Sequence, residues 1–162
     1  MLFVTAHPDD ECMFFTPTIK ALQETNDLHI LVLSNGGYDG LGVERTAEMA
    51  AAAQQMGFVT HKVVNDERIP DGPWPWNATI VSEIVEAHLK EMEANETFIQ
   101  VIMTFDQYGV SGHPNHISTY EGCIELAKRD GISHLYTLES VGIVRKYLAF
   151  VDIHFIGSAE KN

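Results

Sequence analysis

Leu2-Phe3-Val4-Thr5-Ala6, followed at once by His7-Pro8-Asp9-Asp10-Glu11, is the stretch on which the fold turns. The first five residues are apolar and β-branched, too few for a helix, and continuous rather than alternating, as in a strand covered on both faces. The next five hold one imidazole and three carboxylates, which a buried strand excludes and the loop leaving it accepts. Such a strand predicts an open α/β sheet, in which ligands sit beyond the carboxyl ends of the strands.

Working outward, the same short apolar texture recurs at residues 28–33, 58–64, 98–104 and, more weakly, 134–138. Helical patterns lie between these runs. Thr16-Pro17 reads as an N-cap with proline at the first helical position, opening a helix to about Glu24. Residues 43–56 are rich in good helix formers and end at Gly57. Residues 78–93 place Ile80, Ile84, Val85, His88, Leu89 and Met92 on one face. A further helix runs over 114–130, stopped by Gly131. Strand and helix alternate, which predicts a mainly parallel α/β sandwich.

The chain has 162 residues, 45% of them hydrophobic and 20% charged, and reads as one domain over residues 1–162. Ten Lys+Arg against 23 Asp+Glu give a formal charge of -13. That balance excludes a general nucleic-acid role, which needs a basic footprint, and disfavours adhesion by charge to an anionic membrane. Cys12 and Cys123 make neither a disulfide framework nor a CxxC motif, and are expected reduced and buried. Asn77-Ala78-Thr79 and Asn95-Glu96-Thr97 fit the glycosylation sequon, a triplet common by chance. No signal peptide is visible, and the apolar runs are strand-length, too short to span a bilayer as a helix.

Four polar segments follow predicted strands: His7–Glu11, Asn35-Gly36-Gly37, Asn65-Asp66, and Asp106 to His116. His7 and Asp10 lie three apart, so one turn of chain can aim both at a single point. His116 supplies a third donor from the start of a helix, with His113 at the loop edge. Two imidazoles and a carboxylate fit a hydrolytic zinc site with an open position, although iron(II), manganese and cobalt take the same donors. His29, His61, His88, His134 and His154 read as structural. Arg45 sits near a helix start, where a cation is mildly unfavourable, and is a candidate for an anionic substrate group. Asp66, Asp106 and Glu11 are candidates to brace ligand histidines. The glycine-rich loop 35–42 and the loop 69–77, with Trp74 and Trp76, either shape a mouth or cap the core.

Ala6-His7-Pro8-Asp9-Asp10-Glu11 with His113-Pro114-Asn115-His116 resembles the LmbE-like zinc N-deacetylases. Val4 to Thr18, Thr104 to His113, Leu138 to Val141 and Val144 to Tyr147 narrow the likeness to the GlcNAc-phosphatidylinositol de-N-acetylase branch, over nearly the whole chain. The resemblance implies a Rossmann-like three-layer sandwich. It implies zinc held by His7, Asp10 and His116, with Asp9 as general base and His113 polarising or protonating at the reacting centre. It also implies removal of acetyl from GlcNAc-phosphatidylinositol, in GPI-anchor synthesis at the cytoplasmic face of the endoplasmic reticulum. Arg45, Asp66 and Tyr108 complete the expected substrate-binding set. Members of this branch usually carry an N-terminal membrane helix and extend further at the C-terminus, so this chain is expected to be a trimmed or short form in peripheral contact with the membrane. Bacterial relatives often place tyrosine where Ser111 stands, and Tyr108 is the expected substitute.

Three rivals remain at this stage. One is a soluble deacetylase of a small GlcNAc conjugate. Another is a catalytically silent binding subunit, against which the intact set of His7, Asp9, Asp10, His113 and His116 argues. The third, a non-haem iron oxygenase, usually shows His-x-Asp on a jelly roll, whereas here His-x-x-Asp sits on an α/β pattern.

Overall fold

The computed structural model describes residues 1–130 and 134–141. The expected helix stop at Gly131, the segment Val144–Tyr147 and His154 lie outside the described residues. Five strands form one sheet in the order β3-β2-β1-β4-β5, with every pairing parallel: β1 (Leu2–Thr5), β2 (His29–Val32), β3 (Thr60–Val63), β4 (Val101–Phe105) and β5 (His134–Leu138). All four residues of β1 and of β2 are buried, as their unbroken apolar runs require, whereas the edge strand β3 is mostly exposed.

Thr16–Leu22 is α1, Gly42–Met56 is α2, Ala78–Ala94 is α3, Gly109–Gly112 is the single turn α4, and Pro114–Asp130 is α5. Thr16, expected as an N-cap, is instead the first residue of α1, with Phe15 at the cap position and no side-chain cap bond. Gly57 closes α2 in the left-handed region at φ 79°. Asn77 of the first sequon caps α3, its side chain accepting the N–H groups of Thr79 and Ile80. Two elements were not anticipated: the single turn α4, and a π-helical turn, Glu11–Phe15, that runs directly into α1. Cys12, on that turn, is exposed, contrary to expectation; Cys123 is buried, and both are free thiols.

Right-handed crossovers place α1 and α2 on one face of the sheet and α3 and α5, which pack on each other, on the opposite face. This is the expected three-layer sandwich. Phe3, Phe15 and Phe105 are fully buried, with Phe15 set edge-on to Phe3 at 5.7 Å and tilted against Phe105 at 5.3 Å. The chain passes from β1 outward through β2 to β3, then returns over α3 to β4. The strand order therefore reverses between β1 and β4, where an open sheet leaves a crevice for ligands. Among the described residues no helix is long and apolar enough to cross a membrane.

Candidate active site

The loops leaving β1 and β4 meet over that crevice. Asp10 is 1% exposed, and its Oδ2 accepts the backbone N–H groups of Ala6 at 3.0 Å and His7 at 2.8 Å. These bonds fold the loop back so that Asp10 faces into the crevice. Its Oδ1 lies 3.1 Å from Nε2 of His116, and its Oδ2 lies 3.8 Å from Nδ1 of His7. His116 enters from the first turn of α5, stacked on Phe105 with ring centres 4.1 Å apart.

The hydrogen bonds fix what these nitrogens offer. Nδ1 of His116 faces the Gly109 carbonyl at 3.1 Å, which can only accept, so Nδ1 carries a proton. In the neutral ring Nε2 then bears the lone pair turned on Asp10. Nε2 of His7 faces Asn115 Oδ1 at 2.9 Å and Asp71 Oδ1 at 3.1 Å, both acceptors, so it is the protonated nitrogen. The His7 lone pair at Nδ1 is turned on Asp10 as well. Two lone pairs and a carboxylate converge, and a cation between them removes the repulsion. Bonds of about 2.1 Å to a tetrahedral ion put donor atoms roughly 3.4 Å apart, and Asp10 lies 3.1 Å from Nε2 of His116 and 3.8 Å from Nδ1 of His7, through different oxygens. These residues fit a divalent metal. The rings of His7, His113 and His116 also cluster, with one donor nitrogen from each within 4.8 Å of the others, so His113 borders the same position.

Asp9 has φ 101°, in the left-handed region that a non-glycine residue enters at a cost of order 1–3 kcal/mol. Its surroundings hold it there. Glu11 Oε2 accepts the Asp9 N–H at 3.1 Å. Arg45 Nη2 donates to Pro8 O at 2.7 Å and to Asp9 Oδ2 at 2.7 Å, and Nη1 to Gly36 O at 3.1 Å. Gly36 is needed for this approach, because a Cβ there would lie 2.3 Å from Arg45 Nη1. The strained turn presents Asp9 to the cavity while Asp10 points inward. Partial burial raises the Asp9 carboxyl above its ordinary value, against the opposing pull of Arg45. Burial, with the neighbouring His116 and His7, lowers the pKa of His113. Nδ1 of His113 accepts the Asn115 N–H at 3.2 Å, so the neutral ring carries its proton on Nε2 and can donate from there.

A cavity of about 440 Å³ opens over these groups, walled by His7, Asp9, Asp10, Arg45, His113 and His116 among others. The structure thus brings together His7, Asp9, Asp10, His113, His116 and Arg45. Asp66 is not brought in: it accepts from Arg68 at 2.7 Å and lies off the cavity wall, because β3 is the edge strand and its exit faces solvent. Tyr108 is 64% exposed and also lies off the wall, so it does not replace the phenol expected at Ser111, which does line the cavity. Asp106 and Glu11 brace loops rather than histidines. Asp106 accepts from Tyr108 N, Gly109 N and Ser140, bonds that outweigh the effect of burial and lower its pKa. Trp76 caps the core, its indole N–H donating to Pro70 O at 2.7 Å, while Trp74 stays at the rim, edge-on to Tyr38 at 5.6 Å. Asp71, Tyr38 and Asn115 escaped the sequence reading. A signal for Asn115 was available, since it lies between the two histidines of its own motif.

The model of the family described as PIG-L, GlcNAc-PI de-N-acetylase, matches residues 2–127. The chain belongs to this family. A protein of Schizosaccharomyces pombe named as a probable N-acetylglucosaminyl-phosphatidylinositol de-N-acetylase is 41% identical over 157 residues, covering 94% of this chain and 61% of the relative. The de-N-acetylase of that name from Bos taurus is 35% identical over 159 residues, with the same two coverages, 94% and 61%. The chain therefore spans about three fifths of the length of these two curated relatives. Two solved structures share the fold: an N,N'-diacetylchitobiose deacetylase from Pyrococcus horikoshii (TM-score 0.63, 20% identity, 78% of this chain and 48% of that one), and a conserved protein of Thermus thermophilus (TM-score 0.58, 21% identity, 86% and 62%).

Proposed function

We propose that this chain is the catalytic domain of a zinc-dependent amide hydrolase that removes the acetyl group from GlcNAc-phosphatidylinositol. The observation that carries this is the Asp10 carboxylate set 3.1 Å from Nε2 of His116 and 3.8 Å from Nδ1 of His7, with Asp9 presented to the same cavity. His7, Asp10 and His116 would hold the metal. Zinc bound there supplies Lewis acidity and lowers the pKa of water toward about 7. Asp9 accepts the proton of the attacking water and delivers it to the leaving amine. His113, donating from Nε2, holds the negative charge that develops on the acetamide oxygen.

Arg45, at the cavity edge, takes the substrate phosphate. The apolar side chains exposed at the mouth, Met13, Tyr38 and Trp74, make peripheral contact with the membrane edge, on the cytoplasmic face of the endoplasmic reticulum, where GPI-anchor synthesis uses such a product. Asp66 and Tyr108 drop out of the substrate-binding set for the geometric reasons given above.

The test is amine release from GlcNAc-phosphatidylinositol, its water-soluble inositol analogue and free GlcNAc, each with and without chelator. Expected is chelator-sensitive release, fastest with the lipid, because remote binding energy orients the reacting amide. Equal kcat/KM for free GlcNAc hands the result to a soluble deacetylase. No release from any of the three hands it to a binding subunit.

A further inference from the structure

Asp71 lies in the loop between β3 and α3, five residues beyond Asp66, yet its carboxylate reaches the crevice. Its side chain is 11% exposed, and its Oδ1 lies at ion-pair distance, 3.1 Å, from Nε2 of His7, whose hydrogen bond goes to Asn115. Its Oδ2 accepts the backbone N–H of Tyr38 at 3.1 Å. One carboxylate therefore joins three parts of the site: the histidine after β1, the glycine-rich loop after β2, and the loop after β3. Asn115 supports the arrangement. Its Nδ2 donates to Trp74 O at 2.8 Å, which turns its Oδ1 toward His7.

We infer that Asp71 is a positioning residue: it holds the proton of His7 on Nε2, aims the Nδ1 lone pair at the metal position, and pins the Tyr38 loop over the cavity. The inference rests on the metal reading above. Asn115 Oδ1 alone would favour the same tautomer, but it is uncharged. A carboxylate makes the ring a stronger donor at Nδ1, the effect by which outer carboxylates commonly strengthen a metal-bound histidine. The second oxygen has its own work. An amide in place of Asp71 can offer an acceptor to His7 or to the Tyr38 N–H, but not to both, since its nitrogen is a donor.

The experiment compares the wild-type chain with Asp71→Asn, using zinc ion alone as probe. Zinc affinity, read by competition with a chromophoric chelator, is expected to fall about 10–100-fold, the range found for such outer partners. In the zinc-free wild type, ring ¹⁵N shifts of His7 should report the Nε2–H tautomer, and Asn115→Ala, which leaves the Asp71 carboxylate facing Nε2, should retain it. Unchanged zinc affinity in a folded Asp71→Asn chain overturns the inference, as does an Nδ1–H tautomer of His7 in the wild type. If Asp71→Asn does not fold, the Asn115→Ala chain decides: an Nδ1–H tautomer of His7 there overturns the inference. A wild-type chain without zinc affinity also overturns it, since no ligand is then being oriented. None of these readouts uses substrate, so failure of the GlcNAc-phosphatidylinositol assay leaves them standing.

Discussion

His116 and His88 sit on two helices that pack against each other, α5 and α3, and are 4% and 8% exposed. Both nitrogens of His116 face a partner, the Gly109 carbonyl and the Asp10 carboxylate, each at 3.1 Å. Neither nitrogen of His88 makes a hydrogen bond; the nearest charged group is the exposed Glu91 carboxylate, 3.6 Å from Nδ1. Burial is nearly the same, and the neighbourhood differs. His116 lies in the first turn of its helix, where strand-exit loops bring backbone carbonyls and carboxylates. His88 lies along the body of α3, where the backbone already bonds to itself. A buried histidine acquires chemistry from loop ends, and one in mid-helix only fills space.

The most severe way to break the site half of this comparison is His116→Ala. It removes one of the three proposed metal donors, and both metal binding and amine release should fall to background, checked by metal content and turnover together. Retained metal at one ion per chain would mean that His113 takes over the vacated position, which the clustering of the three rings makes the natural alternative.

Next in size is Asp9→Asn, which leaves every donor in place. Metal content should be unchanged while kcat falls roughly 10²–10⁴-fold, the usual scale for a lost general base. Near-normal turnover would sink the role given to Asp9. Arg45→Ala comes third. It removes charged hydrogen bonds of about 1.5–3 kcal/mol each, so a loss of one of them is felt as roughly ten- to a hundredfold in kcat/KM. The comparison of substrates sharpens this. A larger loss for GlcNAc-phosphatidylinositol than for free GlcNAc supports a grip on phosphate. An equal loss means that Arg45 only braces the strained Pro8-Asp9 turn.

How far the site could be read from residues follows from the same contrast. The strand exits after β1 and β4 were legible because each carries its polar groups within a few residues of a buried apolar run, and the two strands are neighbours at the point where the order reverses. The exit after β3 misled. Asp66 has the right residue type in the right place along the chain, but β3 is the edge strand, and Arg68 two residues later captures the carboxylate in solvent. Asp71 does reach the crevice from the same loop. Its position is set by contacts no local pattern reveals: the Trp76 indole on Pro70 O, and Asn115 on Trp74 O. The π-helical turn Glu11–Phe15 was missed for a related reason. Its residues carry no distinctive period, and the turn follows from Asp9 being held at positive φ. Strand order of appearance, the main helices and the Gly57 boundary were legible because each depends on local chemistry alone, whereas the Asn77 cap was read only as a sequon.

The smallest effect belongs to the structural half of the comparison. His88→Leu keeps a similar volume and removes two polar atoms that have no hydrogen bond, a burial that costs about 1–3 kcal/mol for such a group. Turnover should be unaffected, and the melting temperature should rise by a few degrees, about 2–4 °C per kcal/mol at this chain length. The acid dependence adds a second readout. Burial, assisted by Lys62, lowers the pKa of His88 in the folded chain. The unfolded chain then binds the proton more readily, so stability rises with pH wherever the two states differ. The contribution is complete above the unfolded value near 6.5 and is lost as pH falls toward and through the folded value. Replacing His88 should therefore flatten the fall in stability as pH drops below about 6.5. His29, lowered by burial in the same direction, should leave a residual slope. A His88→Leu chain that melts lower than wild type at neutral pH would mean that the contact with Glu91 at 3.6 Å stabilises the fold after all, and that His88 is not the passive member of the pair.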